Sequence, residues 1–143
     1  MSDRAFMFGA IGLVLLAALV GIITIGGPTE ARRERFDQRR YQDLVSIAHA
    51  LQCAPKDGTP ALPAELTVPL LRSYCGGRNI QDSGLLDKET NELYKYSTAG
   101  DGKFSICAKF YDAVRTAQQS YYSTEKGWAF DPKTGCVTGQ IKP

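Results

Sequence analysis

Histidine is almost absent from this chain, and its cysteines lack the spacing of a metal or redox motif. His49 is the only histidine among the 143 residues, and no Cys-x-x-Cys pair occurs. Nucleophilic catalysis by Ser-His or Cys-His chemistry would have to use this one imidazole. His49 and Cys53, four residues apart, make only half of a metal site. The sequence therefore predicts a protein that is not an enzyme and that has no cofactor and no metal.

The net charge is also low, at +2. Nucleic-acid binding depends on neutralising many phosphates along a basic face, so no nucleic-acid partner is expected. The arginines that do cluster directly follow a long apolar run, a position in which such side chains commonly meet anionic lipid phosphates. We expect headgroup contacts from five of them: Arg32, Arg33, Arg35, Arg39 and Arg40.

Charged residues are wholly missing from residues 5–27. At about 1.5 Å per residue this run matches a hydrocarbon layer roughly 30 Å thick, and it exceeds the apolar core of about 7–15 residues in a cleaved signal peptide. The sequence predicts a short tail over 1–4, one transmembrane helix over 5–27 and a folded domain over 28–143. Small residues in the run favour close packing against another helix. These are Gly9, Gly12, Ala17 and Gly21.

Two patterns disagree about the side of the membrane on which the domain over 28–143 folds. Arg4 alone precedes the apolar run while five arginines follow it, which favours the cytoplasm. Four scattered cysteines indicate two disulfides and an oxidising compartment, although their spacing allows three pairings. Long domains cross membranes largely regardless of charge, so we expect a single-pass protein of the bacterial inner membrane with its domain in the periplasm. The cysteines are Cys53, Cys75, Cys107 and Cys136.

A second, amphipathic helix is predicted from Thr29, as its cap, to about Cys53. Apolar residues recur there at intervals of three, four and seven, so one face should pack on a sheet. The residues of this face are Phe36, Leu44, Ile47, Ala48 and Leu51.

Alternating residues over 93–97 and 103–110, joined by the turn-forming residues 99–102, predict a β-hairpin. Phe104, Ile106, Ala108 and Phe110 should face the core, which places Cys107 on the opposite face. A short last strand is expected around Cys136.

Two loops carry candidate contacts. The loop over 79–92 is polar, and its carboxylates could bind calcium without EF-hand spacing or could simply be solvated; they are Asp82, Asp87, Glu89 and Glu92. A polar loop before Cys136 holds Tyr121, Tyr122 and Trp128, aromatic side chains of the kind that dominate interaction surfaces, although Trp128 could equally be core.

The order of apolar helix, amphipathic helix, irregular loop and antiparallel hairpin resembles type IV pilins and secretion pseudopilins. The segments Tyr94-Lys95-Tyr96, Ile106-Cys107-Ala108-Lys109-Phe110 and Gly135-Cys136 are also similar to a group of uncharacterised proteobacterial single-span proteins with a pilin-like periplasmic domain. The resemblance implies an α+β fold in which the transmembrane helix continues into an amphipathic helix packed on a small antiparallel sheet. It also implies pairing of Cys107 with Cys136, which leaves Cys53 with Cys75.

The pilin glutamate that joins neighbouring subunits has no counterpart, since no acidic residue occurs between Phe6 and Gly27. The leading hypothesis is therefore a non-enzymatic accessory or scaffold subunit, docked through its apolar helix to a larger inner-membrane complex such as a respiratory or photosynthetic one. The alternative is a minor pseudopilin-like component of a secretion or pilus system.

Overall fold

The protein was examined as a computed structural model, which describes residues 3–25, 27–53, 62–74, 80–120 and 127–141. The chain divides into two compact units, Met1–Arg33 and Glu34–Pro143. The second unit combines helices with a four-stranded antiparallel sheet. This confirms the α+β class.

Helix α1 spans Asp3–Ile25. Among the described residues, no helix combines the length and the apolarity needed to cross a membrane. For this part of the chain the predicted transmembrane helix over 5–27 is wrong. The predicted location, a single-pass protein of the inner membrane with its domain in the periplasm, depended on that helix and is corrected with it.

Helix α2 spans Pro28–Gln52, close to its predicted bounds. It begins one residue before the predicted cap Thr29, because Pro28 needs no amide partner in the first turn and the Gly27 carbonyl accepts the amides of Glu30 and Ala31 at 3.0 and 3.4 Å. The predicted apolar face is correct from Leu44 onward: Leu44, Ile47, Ala48 and Leu51 are fully buried.

The sheet has the strand order β1-β2-β4-β3, and all neighbouring strands run antiparallel. The strands are β1 over Lys95–Ala99, β2 over Lys103–Cys107, β3 over Trp128–Asp131 and β4 over Cys136–Gln140. The predicted hairpin is confirmed as β1-β2, and its turn uses the positive φ angles of Asp101 (64°) and Gly102 (71°).

One face of this sheet forms the core with α2. Phe104 and Ile106 of β2 and Val137 of β4 are buried in the same cluster as Leu44 and Ile47 of α2. Ala108 and Phe110 are half-buried against that cluster, so the alternation predicted for β2 is confirmed. Burial of this face fixes the register, because a one-residue slip would turn all of these side chains outward.

Three elements lie where the sequence gave a weak or polar signal. Helix α3 over Val68–Ser73 is capped by the Thr67 side chain, and helix α4 over Ala113–Gln119 by that of Asp112. Strand β3 replaces the end of the polar loop predicted before Cys136, and Trp128 is buried there at 4% exposure. Trp128 is therefore core rather than a surface contact.

The sheet is crosslinked by a disulfide between Cys107 and Cys136, the pairing that the resemblance implied. The two residues are register partners on β2 and β4 with 4.0 Å between their Cα atoms, and both lie on the face opposite the core. The flanking Ala108 amide bonds the Gly135 carbonyl, so the cysteines occupy a non-hydrogen-bonded pair, where antiparallel strands come closest.

The prediction of two disulfides is corrected: the described residues show this one bridge. The proposed partner of Cys53 was Cys75, which lies outside the described residues. Cys53 is not a free thiol.

Removing the Cys107–Cys136 bridge in a Cys107→Ser, Cys136→Ser variant is expected to lower the free energy of unfolding by about 3.5 kcal/mol. The physical reason is that closure of a loop with a sequence separation of 29 restricts the unfolded chain. Urea unfolding of the variant against wild type, both without reductant, measures the difference. An unchanged midpoint would show that the bridge does not stabilise the sheet.

Candidate functional site: an apolar helix and a buried ionic cluster

The described side chains of α1 are apolar and exposed. Ten large ones are between 50% and 78% exposed: Met7, Phe8, Ile11, Leu13, Val14, Leu15, Leu16, Leu19, Val20 and Ile23. At about 100° per residue they are spread around most of the helix rather than along one stripe. A typical surface helix has a polar face, and the described side chains of this helix show none.

The small residues predicted to pack helices are open to an approaching chain. A Cβ added at Gly9, Gly12 or Gly21 would meet no atom within 4 Å. Ala17 and Gly21 lie about 40° apart around the helix, whereas Gly12 lies about 140° from Ala17. The four residues therefore do not form one stripe but two pairs, Gly9 with Gly12 and Ala17 with Gly21.

The predicted basic cluster separates into two environments. Arg32, Arg33, Arg35 and Arg39 are exposed, and Arg33 pairs with Glu30 at 3.6 Å. Lipid contact by these four stays a prediction. Arg40 is different, because only 5% of its side chain is exposed and its guanidinium is enclosed by acidic groups. It is not placed to meet a headgroup.

Arg40 is the centre of a buried ionic cluster. Its Nη1 donates to Asp37 Oδ1 at 3.0 Å, its Nε to Asp87 Oδ2 at 2.7 Å and its Nη2 to Glu89 Oε2 at 2.6 Å. The guanidinium carbon also lies 5.2 Å from the centre of the Tyr111 ring, within cation–π range. One arginine thus holds α2 to the loop that contains Asp87 and Glu89.

The carboxylates of the cluster extend it to the chain that follows β2. Asp37 accepts the backbone amides of Tyr111 and Asp112 at 3.0 and 2.8 Å, and the Tyr111 hydroxyl donates to Glu89 at 2.8 Å. Asp87 Oδ1 accepts the amide of Glu89 at 2.9 Å. Every acidic member therefore has a second donor besides Arg40, as a buried charge requires.

The pKa values follow from this enclosure. Burial acts to lower the pKa of Arg40, but hydrogen bonds to Asp87, Glu89 and Asp37 outweigh it and raise the pKa above the usual value. Burial acts to raise the pKa of Asp87, and the bonds from Arg40 and from the Glu89 amide outweigh it, so that pKa is lowered. Both shifts favour the charged forms of Arg40 and Asp87.

A neighbouring pair behaves oppositely. Tyr94 donates from its hydroxyl to Asp43 Oδ2 at 3.0 Å. Burial raises the pKa of Asp43 in spite of this bond and of the positive charges of Lys88 and Arg39. Burial and the Asp43 charge also raise the pKa of Tyr94. Asp43 therefore carries its charge at a cost to stability.

The carboxylates considered for calcium have basic partners. Asp87 and Glu89 bond to Arg40, Asp82 pairs with Arg72 at 2.9 Å, and Glu92 lies 3.5 Å from Lys109. Within the described ranges no group of three or more His, Cys, Asp or Glu side chains is placed to hold a metal ion. His49 is exposed on α2.

Of the predicted aromatic surface, the structure describes only Trp128. Tyr121 and Tyr122 lie outside the described residues, and Trp128 is core. The face of the sheet opposite the core instead has a shallow trough of about 550 Å³. Its floor is the row Ser97, Ser105, Thr138 and Ala129, which are register partners across all four strands.

Sequence reasoning missed the Arg40 cluster, although a signal was present. Counting back from Leu44 by three, four and seven residues gives Tyr41, Arg40 and Asp37, so the buried face of α2 extends through a charged pair. The partners Asp87 and Glu89 could not have been found this way, because they are 47 and 49 residues distant in sequence.

Replacing Arg40 with Met is expected to destabilise the folded unit by about 3–5 kcal/mol, because Asp37 and Asp87 would remain buried without their cation. Chemical unfolding measures the loss. The matched control is Lys109→Met, whose pair with Glu92 is exposed on both sides and should change stability by less than about 1 kcal/mol. Equal effects of the two substitutions would contradict the central position of Arg40.

Stability should depend on pH with opposite sign at Asp87 and Asp43. The lowered pKa of Asp87 means that its contribution is present above the unfolded value of about 3.9 and is lost as pH falls through the folded value. The raised pKa of Asp43 means that its contribution is complete below about 3.9 and is lost as pH rises through the folded value.

Unfolding of Asp87→Asn and Asp43→Asn against wild type from pH 3 to pH 7 tests this. Asp87→Asn should be less stable than wild type at pH 7 and approach it at about pH 3, whereas Asp43→Asn should be at least as stable as wild type at pH 7. Parallel curves for all three proteins would contradict both assignments.

Comparison with known proteins identifies no family for this chain. No protein-family model, curated protein or solved structure matches the chain. The resemblance to pilins and pseudopilins therefore stays a prediction from the sequence, and any functional argument depends on the described residues themselves.

Proposed function

We propose that the chain is a non-enzymatic accessory subunit that docks through α1 between apolar helices of a larger protein assembly, with the unit over residues 34–143 as its folded head. The observation that carries this proposal is the exposure of ten large apolar side chains around α1. Covering them would contribute on the order of 10 kcal/mol, which is the scale of a stable complex before the costs of association.

The chemistry of α1 favours helices as its partners. Its described side chains over residues 7–21 are all apolar or glycine, so they offer shape without charge or side-chain hydrogen bonds. The open surface beside Gly21 permits a second helix to approach closely on the Ala17–Gly21 face. Bulky neighbours such as Leu13 and Leu16 can then fill the gaps between partner side chains.

The head supports the same proposal because its buried charged groups bond to one another. Its charged interior, the Arg40 cluster, is satisfied within the head and joins α2 to the loop over 87–89 and to residues 111–112. A head whose buried charges are paired internally can brace a neighbour without giving up these contacts. It does not need α1 for the completion of these contacts.

Site-specific photo-crosslinking tests the docking directly. A photo-reactive residue at Leu13, which is 70% exposed, should crosslink to one polypeptide of a larger complex in the native host. The same group at Leu93, an apolar position of the head with 68% exposure, is the matched control and should not give that product. Crosslinks from Leu13 to lipid alone, or an uncrosslinked monomer, would overturn the proposal.

A charge placed in α1 should abolish the complex. Leu16→Glu is expected to lower recovery of the crosslinked companion at least tenfold, because a buried carboxylate without a partner is strongly unfavourable. Leu93→Glu introduces the same side chain at a similarly exposed site of the head and should leave recovery unchanged. Equal recovery from both variants would show that α1 is not the docking element.

A minor pseudopilin-like component remains the second candidate. The observation that favours it is the packing of the long helix α2 against an antiparallel sheet, the arrangement that the resemblance implied. In that case the Leu13 crosslink would join two copies of this chain. Mass spectrometry of the N-terminus would then show cleavage before a methylated residue, whereas an unmodified N-terminus would count against it.

A further inference from the structure

A polar cavity of about 290 Å³ lies within the head, between α2 and the loop that follows α3. Besides the apolar Ile47, its α2 wall consists of the polar residues Arg39, Gln42, Asp43 and Ser46. These residues are spaced by three and four, so they form one continuous strip along the helix. The cavity does not involve α1, and the inference drawn from it is independent of the docking proposal.

The opposite wall is a tight turn that only glycine can close. A Cβ at Gly84 would meet the Ile80 side chain at 2.9 Å and the Gln81 carbonyl oxygen at 3.0 Å. The Gly84 amide donates to that same carbonyl at 2.9 Å. Lys88, also in this wall, donates to the Gln81 side chain at 3.2 Å.

The ionic cluster fixes this wall against the helix. Asp87 and Glu89, the residues on either side of Lys88, both bond to Arg40, which is the next residue in α2 after the cavity residue Arg39. The backbone positions of Arg39 and Lys88 are therefore held through a buried arginine, whereas their side chains are exposed. This is the pre-organisation that a binding site requires.

Both signs of charge converge on the cavity. Arg39 and Lys88 are exposed at its rim, while Asp43 is half-buried and anchored by the hydroxyl of Tyr94 at 3.0 Å. The positive charges of Lys88 and Arg39 act on the Asp43 carboxylate, although burial still raises its pKa. The amides of Gln42 and Gln81 supply neutral hydrogen-bonding groups between the charges.

We propose that this cavity binds a small zwitterion, with an oxyacid group held by Arg39 and Lys88 and an ammonium group held by Asp43. A guanidinium fork suits both carboxylate and phosphate oxygens. The volume equals that of about ten waters and lies at the small end of ligand sites, which suits a free α-amino acid or phosphoethanolamine. The larger trough on the sheet has one charged lining residue, Lys103, and offers no such pair of signs.

Ligand titrations of the whole chain, held in mild detergent and followed by amide NMR, test the proposal. The probes are L-alanine, L-glutamate and phosphoethanolamine, with propionate, ethylamine and inorganic phosphate as matched probes that carry one charge type. At least one zwitterion should saturate the shifts of Gln81 and Gly84 with a Kd on the order of 1 mM or tighter. The single-charge probes should bind at least tenfold more weakly.

The amino acids and phosphoethanolamine distinguish a carboxylate from a phosphate as the oxyacid, and preference for either supports the proposal. No saturation by any zwitterion up to about 10 mM would overturn it. Phosphate alone binding as tightly as phosphoethanolamine would also overturn it, because Asp43 would then have no part in recognition.

Substitutions in the cavity test which side chain binds each charged group of the ligand. Arg39→Gln and Lys88→Gln, both at exposed positions, should each weaken the zwitterion at least tenfold without shifting the thermal midpoint. Asp43→Asn should bind L-alanine and propionate equally. Arg115→Gln, an exposed arginine of α4 outside the cavity, is the control and should bind as wild type does. Unchanged binding in all three cavity variants would show that the ligand lies elsewhere.

Discussion

The hydrogen bonds of the Arg40 guanidinium to three carboxylates are the interactions on which the arrangement of the head depends. The guanidinium is buried, and it bonds three carboxylates that come from α2 and from a loop nearly fifty residues further along the chain. A buried ion pair is a poor source of net stability, since desolvation offsets much of the attraction. Its value lies in geometry, because few other arrangements of this loop would leave no charge buried and unpaired.

Several features of the loop follow from that constraint. The loop over 82–92 has an acidic composition, yet its carboxylates turn toward arginine and lysine instead of toward a metal ion. The backbone bridge between Leu86 and Leu93 and the Tyr94 amide bond to Leu85 tie the same loop to the start of β1. The loop over 82–92 has the composition of a solvated loop, but these contacts hold it in a fixed position on the head.

The sequence was informative wherever a local period determines structure. The 3.6-residue period identified the buried face of α2 from Leu44 onward, and the two-residue period of β2 identified Phe104 and Ile106 as core. It was misleading where burial depends on distant partners: Arg40 was read as exposed, and Trp128 as a possible surface residue. The helical period places Arg40 on the buried face of α2, but nothing local identifies its partner Asp87, 47 residues away.

The two units differ in how much of their apolar surface is buried within the unit itself. Most of the large apolar side chains described in the head are buried, and the charges of its Arg40 cluster are paired. Helix α1 has many exposed apolar side chains and, in residues 7–21, no charge. Since a soluble monomer rarely leaves so large an apolar surface uncovered, α1 is the element on which the docking proposal depends. The proposed binding of a small ligand beside Asp43 belongs to the head, whereas the proposed docking belongs to α1. Substitutions in the two units can therefore test the two proposals separately.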